Sequence, residues 1–140
     1  MTETTRQQFE VKLMKFRAAV DGLKRHRSTT TLEAFRANSD TYFAVCYLFV
    51  MAIEALVDLG QYLLIFQGKR AEGQSSIPEL LARQSIIDEP LAKRLKDMIG
   101  FRNILIHAYP EMNDAKVATY LNENLEDFDA FLAAVNRTMK

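Results

Sequence analysis

Cysteine, proline and glycine are all scarce in this chain, and charge of neither sign prevails. There is one cysteine, three prolines and five glycines in 140 residues. A sole cysteine, Cys46, excludes an intrachain disulfide. It stands in an apolar run, where a core thiol in a reducing cytosol is the expectation. Few helix breakers and little strand-like alternation weigh against a β architecture and for an all-α one. Eighteen Lys and Arg balance eighteen Asp and Glu. A chain with no net charge has no general attraction to nucleic acid, so any RNA site must be a local basic patch or arise on assembly. The first residues, Met1-Thr-Glu-Thr-Thr-Arg-Gln-Gln, lack an apolar stretch, and no signal peptide is expected. The expected location is cytoplasmic.

What is present reads as one helical domain over residues 1–140. The run Tyr42 to Gln67 is long enough to span a bilayer, but Glu54 and Asp58 stand near its middle. Charge there is costly in lipid. A central bundle helix is therefore expected, with no membrane partner. Phe9, Leu13, Phe16, Val20 and Leu23 recur at helical spacing in a first helix from about Thr4 to about Arg25. Ser28-Thr-Thr-Thr31 is a break, followed by a helical turn at Leu32 to Ala37. Ser39 or Asp40 caps the long second helix. Gly68 to Ser76 reads as a loop. Ser76 and Glu79 have capping-box spacing, with Pro78 in the first turn of a short helix ending near Gln84. Asp88 caps a helix running to Tyr109, which Pro110 ends. Asn113 or Asp114 starts a last helix reaching Lys140, with Val117, Leu121, Leu125, Phe128, Leu132 and Val135 inward. The short loops predict an up-and-down helical bundle. The long helix is apolar nearly all round, which predicts a dimer through it.

The most informative stretch is Arg102-Asn-Ile-Leu-Ile-His107-Ala-Tyr109-Pro110. Arginine is a permanent cation that suits phosphate oxygens. Histidine readily takes and gives a proton near neutral pH. With no metal-ligand cluster in view, these two suggest metal-free and cofactor-free chemistry on a phosphodiester. Leu91, Leu95, Met98, Leu105 and Ile106 define the apolar arc of this helix, and Arg102 and Tyr109 fall inside it. His107 lies about 140° from Arg102, with Asn103 between them. The three can border one cleft. A cation on an apolar arc needs a partner. Glu54 and Asp58, spaced i,i+4 on the long helix, are the candidates. The residues alone favour a simpler arrangement, in which Arg102 bridges helices and His107 caps the helix C-terminus.

Arg-x4-His-x-Tyr late in a small helical domain resembles the HEPN superfamily, specifically the HepT-like toxins. Ala52-Ile-Glu-Ala-Leu-Val-Asp-Leu-Gly60 is similar to the long-helix signature of that family. Ile77-Pro-Glu-Leu-Leu, Asp97-Met98 and the Phe-rich last helix also fit, so the resemblance covers roughly residues 40–137. One departure is Cys46-Tyr47, where relatives often carry a Glu-Arg pair. The resemblance implies a homodimer whose cleft gathers Arg102 and His107, and a metal-independent endoribonuclease that leaves a 2′,3′-cyclic phosphate. His107 would be general base or acid, Arg102 would stabilise the transition state, and Asn103 would support the phosphate. It also implies an MntA-like nucleotidyltransferase antitoxin that adds AMP to Tyr109. An alternative within the family is a non-catalytic HEPN subunit that helps a nucleotidyltransferase hold substrate. A structural interaction domain with an inert motif is a third reading.

Two charged stretches stand apart from the motif. Lys24-Arg25-His26-Arg27 ends the first helix and could track RNA or simply complement the helix dipole. Six acids between Glu111 and Asp129 against one base, Lys116, make a face unsuited to RNA.

Overall fold

A computed structural model describes residues 2–30, 35, 39–107 and 114–139. It is all-α. The helices are α1 (Glu3–Thr29), α2 (Asp40–Phe66), α3 (Ile77–Arg83), α4 (Glu89–His107), α5 (Asp114–Glu123) and α6 (Leu125–Thr138), with a 3-10 turn at Gln74–Ser76 before α3. The described residues contain no strand.

Ser39 accepts the Tyr42 N–H at 3.1 Å and starts α2, as its residue type predicts. Asp88 does the same for α4, accepting the Leu91 N–H at 2.8 Å. Helix α2 is the central member. Its Val45, Phe49, Ile53, Leu56, Leu59 and Leu63 are buried, and it packs on α1, α3, α4 and α6. This helix is long and apolar enough to cross a membrane by length and composition, and here those residues form the centre of the core.

Both ends of α3's neighbourhood are set by the same backbone device. At the end of α2, Gly68 has φ +70°, and the N–H groups of Gly68 and Lys69 bond back to Ile65 and Leu64. At the end of α3, Ser85 has φ +60°, and the N–H groups of Ser85 and Ile86 bond back to Ala82 and Leu81. Each is a helix end closed by one left-handed residue, a position that favours glycine. Between them α3 lies tightly on α2: a Cβ at Gly60 would stand 2.7 Å from Ile77 Cγ2.

Several expectations are corrected. Helix α1 continues a turn past Arg25 to Thr29. Ser76 does not cap α3; its hydroxyl donates to the Gly73 carbonyl at 2.7 Å, and the 3-10 turn leads straight into the helix. The last helix is two helices, interrupted at Asn124, whose ψ of 2° departs from helical geometry. In α6 Phe131 and Ala134 are buried, whereas Leu132 is half-buried. Ile106 belongs outside the apolar arc of α4: it is exposed, while Phe101 and Ile99 are inside. Most of the expected Leu32–Ala37 turn, the helix end at Tyr109 and the Asn113 start lie outside the described residues. Phe35 is described, and its ring packs against Tyr42.

Candidate functional site

The rotation of α4 is fixed by Phe101. Its ring stacks on Tyr120 at 4.1 Å and meets Phe49 edge-on at 5.4 Å. Burial, then the charge of Asp97, raises the Tyr120 phenol above its ordinary pKa. The next residue turns by about 100°, which carries Arg102 toward α2 and the 3-10 turn.

Arg102 is the most enclosed cation there, with its side chain 13% exposed. Its Nη2 donates to Asn103 Oδ1 at 2.7 Å and to Gln74 Oε1 at 3.0 Å. A guanidinium Nη carries two N–H groups, so both are used. Nη1 lies 3.8 Å from Glu54 Oε1. That is beyond a hydrogen bond and is a charge contact with a carboxylate 49% exposed. Nε is buried and has no hydrogen-bond partner among the described residues. The guanidinium is thus held by groups from three segments, and Nη1 is the end not tied by a hydrogen bond to a described residue.

Asp58 is not a partner of Arg102. It pairs with Lys12 of α1 at 2.9 Å, an interaction that raises the Lys12 pKa through the hydrogen bond and the carboxylate charge. Of the two carboxylates expected to pair with the arginine, neither hydrogen-bonds to it within this chain; Glu54 alone comes near, as a charge contact. Gln74 was missed. It opens the short 3-10 turn, where no periodicity marks a residue, and only the fold brings it to Arg102.

Asn103 and His107 are both exposed on α4. Among the described residues, His107 has no hydrogen-bond partner. Tyr109 lies outside the described residues. Cys46 is buried, and that burial raises its thiol pKa, with the Tyr42 hydroxyl opposing; a neutral core thiol follows. No group of three or more His, Cys, Asp or Glu among the described residues is placed to hold a metal ion.

The two other charged stretches meet each other. Lys24 Nζ pairs with Asp129 at 2.8 Å, and Arg27 pairs with Glu126 at 2.8 Å. Arg94 Nε reaches the buried Asp127 at 2.8 Å. The basic end of α1 is therefore engaged in clasping α6.

Residues 16–135 match the family described as Ribonuclease HepT-like. This chain belongs to that family. The mRNA nuclease HepT of Shewanella oneidensis is 33% identical over 89 residues, which is 59% of this chain and 62% of that protein. The alignments span only 62% and 60% of the curated relatives matched. A tri-AMPylated Shewanella oneidensis HEPN toxin, solved in complex with an MNT antitoxin, superposes with a TM-score of 0.83. It is 22% identical, and the match covers 98% of this chain and 99% of that one. The cytosolic protein YutE of Bacillus subtilis, of unknown function, gives a TM-score of 0.80 at 14% identity, covering 96% of this chain and 90% of that one. Both solved structures share the helical fold of this chain.

Proposed function

We propose that this HepT-like chain is a metal-independent endoribonuclease, the toxin of a toxin–antitoxin pair of the cytoplasm. The observation that carries this is Arg102, held on three sides, with Nη1 making no hydrogen bond to a described residue, five positions before an exposed His107 on the same helix. His107 takes the proton from a 2′-hydroxyl, or gives one to the departing 5′-oxygen. The 2′-oxygen bonds to phosphorus as the P–O5′ bond breaks, leaving a 2′,3′-cyclic phosphate. Arg102 offsets the charge gathered on the phosphoryl oxygens, and Asn103 orients the arginine and borders the phosphate.

The acting unit in this reading is a homodimer. Phe43 and Tyr47 on α2, and Ile104 and Ile106 on α4, are exposed apolar side chains. Helical spacing puts Phe43 and Tyr47 on the same side of α2 as Glu54, so an apolar interface would border the arginine. An MntA-like nucleotidyltransferase is the expected antitoxin, and Tyr109 its target. An adenylate there would bring a phosphate that competes for Arg102.

A second reading, a non-catalytic HEPN subunit that holds substrate for a nucleotidyltransferase, draws support from His107, which has no orienting hydrogen bond among the described residues. One experiment separates the two. The chain is expressed alone beside His107→Ala, with growth and cleavage of total RNA followed in EDTA. Arrest and cleavage that vanish in the variant establish the nuclease. Wild-type chain that is intact, unmodified by mass spectrometry and harmless points to the binding subunit.

A further inference from the structure

The outward side of α4 carries three features that the cleavage chemistry does not use. At about 100° per residue, Lys93, Lys96, Gly100, Asn103 and His107 fall on one stripe, and all five are exposed. Lys93 and Lys96 make no salt bridge among the described residues. By contrast, Lys24 and Arg27, the basic pair most conspicuous in sequence, are neutralised by Asp129 and Glu126. Gly100 sits mid-helix where a Cβ would meet nothing within 4 Å. Packing within this chain does not call for a glycine there, and glycine lowers helix stability relative to alanine. A bare backbone at that point lets another chain approach closely.

The stripe also edges a groove of about 710 Å³ between α3 and the first half of α4. Lys93 and Lys96 line it together with Arg83, the apolar Ala82, Pro90 and Ala92, and the carboxylates of Glu79 and Glu89. Arg83, on the α3 wall, is tied to Glu79 at 2.8 Å, so the lysines are its uncommitted cations. At the other end of the same helix side stand Asn103 and, behind it, Gln74 and Arg102. From Lys93 to His107 the helix rises ~21 Å.

We propose that the Lys93–His107 stripe of α4, with the α3–α4 groove beside it, is a track for the backbone of single-stranded RNA leading into the Arg102–His107 site. This rests on the nuclease reading and adds the path by which a strand reaches the site. The two lysines meet phosphates, and Gly100 gives the strand room to lie against the helix. No aromatic side chain stands on the stripe to stack a base, so the track reads backbone and not sequence. Specificity, where it exists, comes from the cleft.

The test uses the full chain in a His107→Ala background, so that binding is read without cleavage. A labelled oligoribonucleotide and a dinucleotide are titrated across a salt series, with and without Lys93→Gln and Lys96→Gln together. The expected result is roughly a ten-fold loss of oligonucleotide affinity at low salt, and a salt slope shallower by about 1.4 for two lost phosphate contacts on a single strand. Dinucleotide binding stays the same. An unchanged slope, or no oligonucleotide binding in either form, overturns the track. Gly100→Leu adds bulk to the stripe and is expected to weaken oligonucleotide binding in a folded chain of unchanged oligomeric state. If Gly100→Leu instead splits an assembly, the stripe is a subunit contact and the track is overturned. Wild type that binds through these lysines yet cleaves no RNA keeps the track and removes the nuclease reading. Cleavage with an unaltered slope removes the track alone.

Discussion

Arg102 is held by contacts of unequal strength. Its ion pair with Glu54 is long and half in water, and such pairs contribute only about 0–1 kcal/mol. The hydrogen bonds from Nη2 are shorter and better placed, and bonds to a charged group contribute roughly 1.5–3 kcal/mol. Gln74→Ala is therefore expected to slow RNA cleavage about ten-fold, whereas Glu54→Gln changes it by less than about five-fold. Initial rates on one RNA substrate decide this; a larger loss for Glu54→Gln would make the carboxylate the holder. The same contrast marks what was legible at this scale. Arg102, Asn103 and His107 lie on one helix, so their relation follows from 3.6 residues per turn. Gln74 and Lys12 touch the site's charges from distant segments, and no local pattern could place them. Tyr109 remains a sequence-level candidate.

Among the elements, α3 is short and is held from its ends. Ser85 occupies a left-handed position that an L side chain adopts at a cost. Ser85→Gly should stabilise the chain by about 0.5–1 kcal/mol, since the cost of a side chain there exceeds the entropy that glycine loses. A urea midpoint that does not rise would contradict this. Gly60→Ala has the opposite sign. The methyl would collide with the buried, β-branched Ile77. Overpacking costs about 1–3 kcal/mol, and the better helix propensity of alanine returns at most about 1 kcal/mol. A net loss of stability is expected on thermal unfolding, with α3 pushed off α2. Caps at Ser39 and Asp88 were readable because a single side chain next to the helix makes the bond. The Ser76 cap failed because the 3-10 turn supplies helix-like backbone before Ile77, leaving no orphan geometry to satisfy. The break at Asn124 was hidden because the apolar spacing continues across it.

Across the whole molecule, the balanced charge conceals an ordered pairing of α1 and α4 with α6. Asp127 is buried and Asp129 is exposed, so their cations are not equivalent. Arg94→Ala leaves the buried Asp127 carboxylate with only the long 3.4 Å bond from Asn124 Nδ2 among the described side chains and should cost about 1–3 kcal/mol. Lys24→Ala should cost under about 1 kcal/mol. Urea unfolding of both variants tests the ranking. Acid loosens the same clasp. Glu126 is held below its ordinary carboxylate pKa by its own backbone N–H and then by Arg27. A depressed folded pKa adds stability above the unfolded value, and that stability is lost as pH falls through the folded value. The unfolding midpoint should therefore decline as pH drops below about 4.5, and Glu126→Gln should flatten that part of the decline. Sequence spacing revealed the all-α class and the central helix because apolar periodicity is local. It did not reveal that the basic and acidic stretches answer each other, because Lys24 and Asp129 meet only after the chain has folded back on itself. The same delay applies to Arg102. Its guanidinium is set by Glu54, Gln74 and Asn103, three segments that come together only once synthesis has passed α4. On the nuclease reading, the emerging polypeptide lacks its cutting geometry until α4 has cleared the ribosome, a delay that spares the RNA of the machine making it.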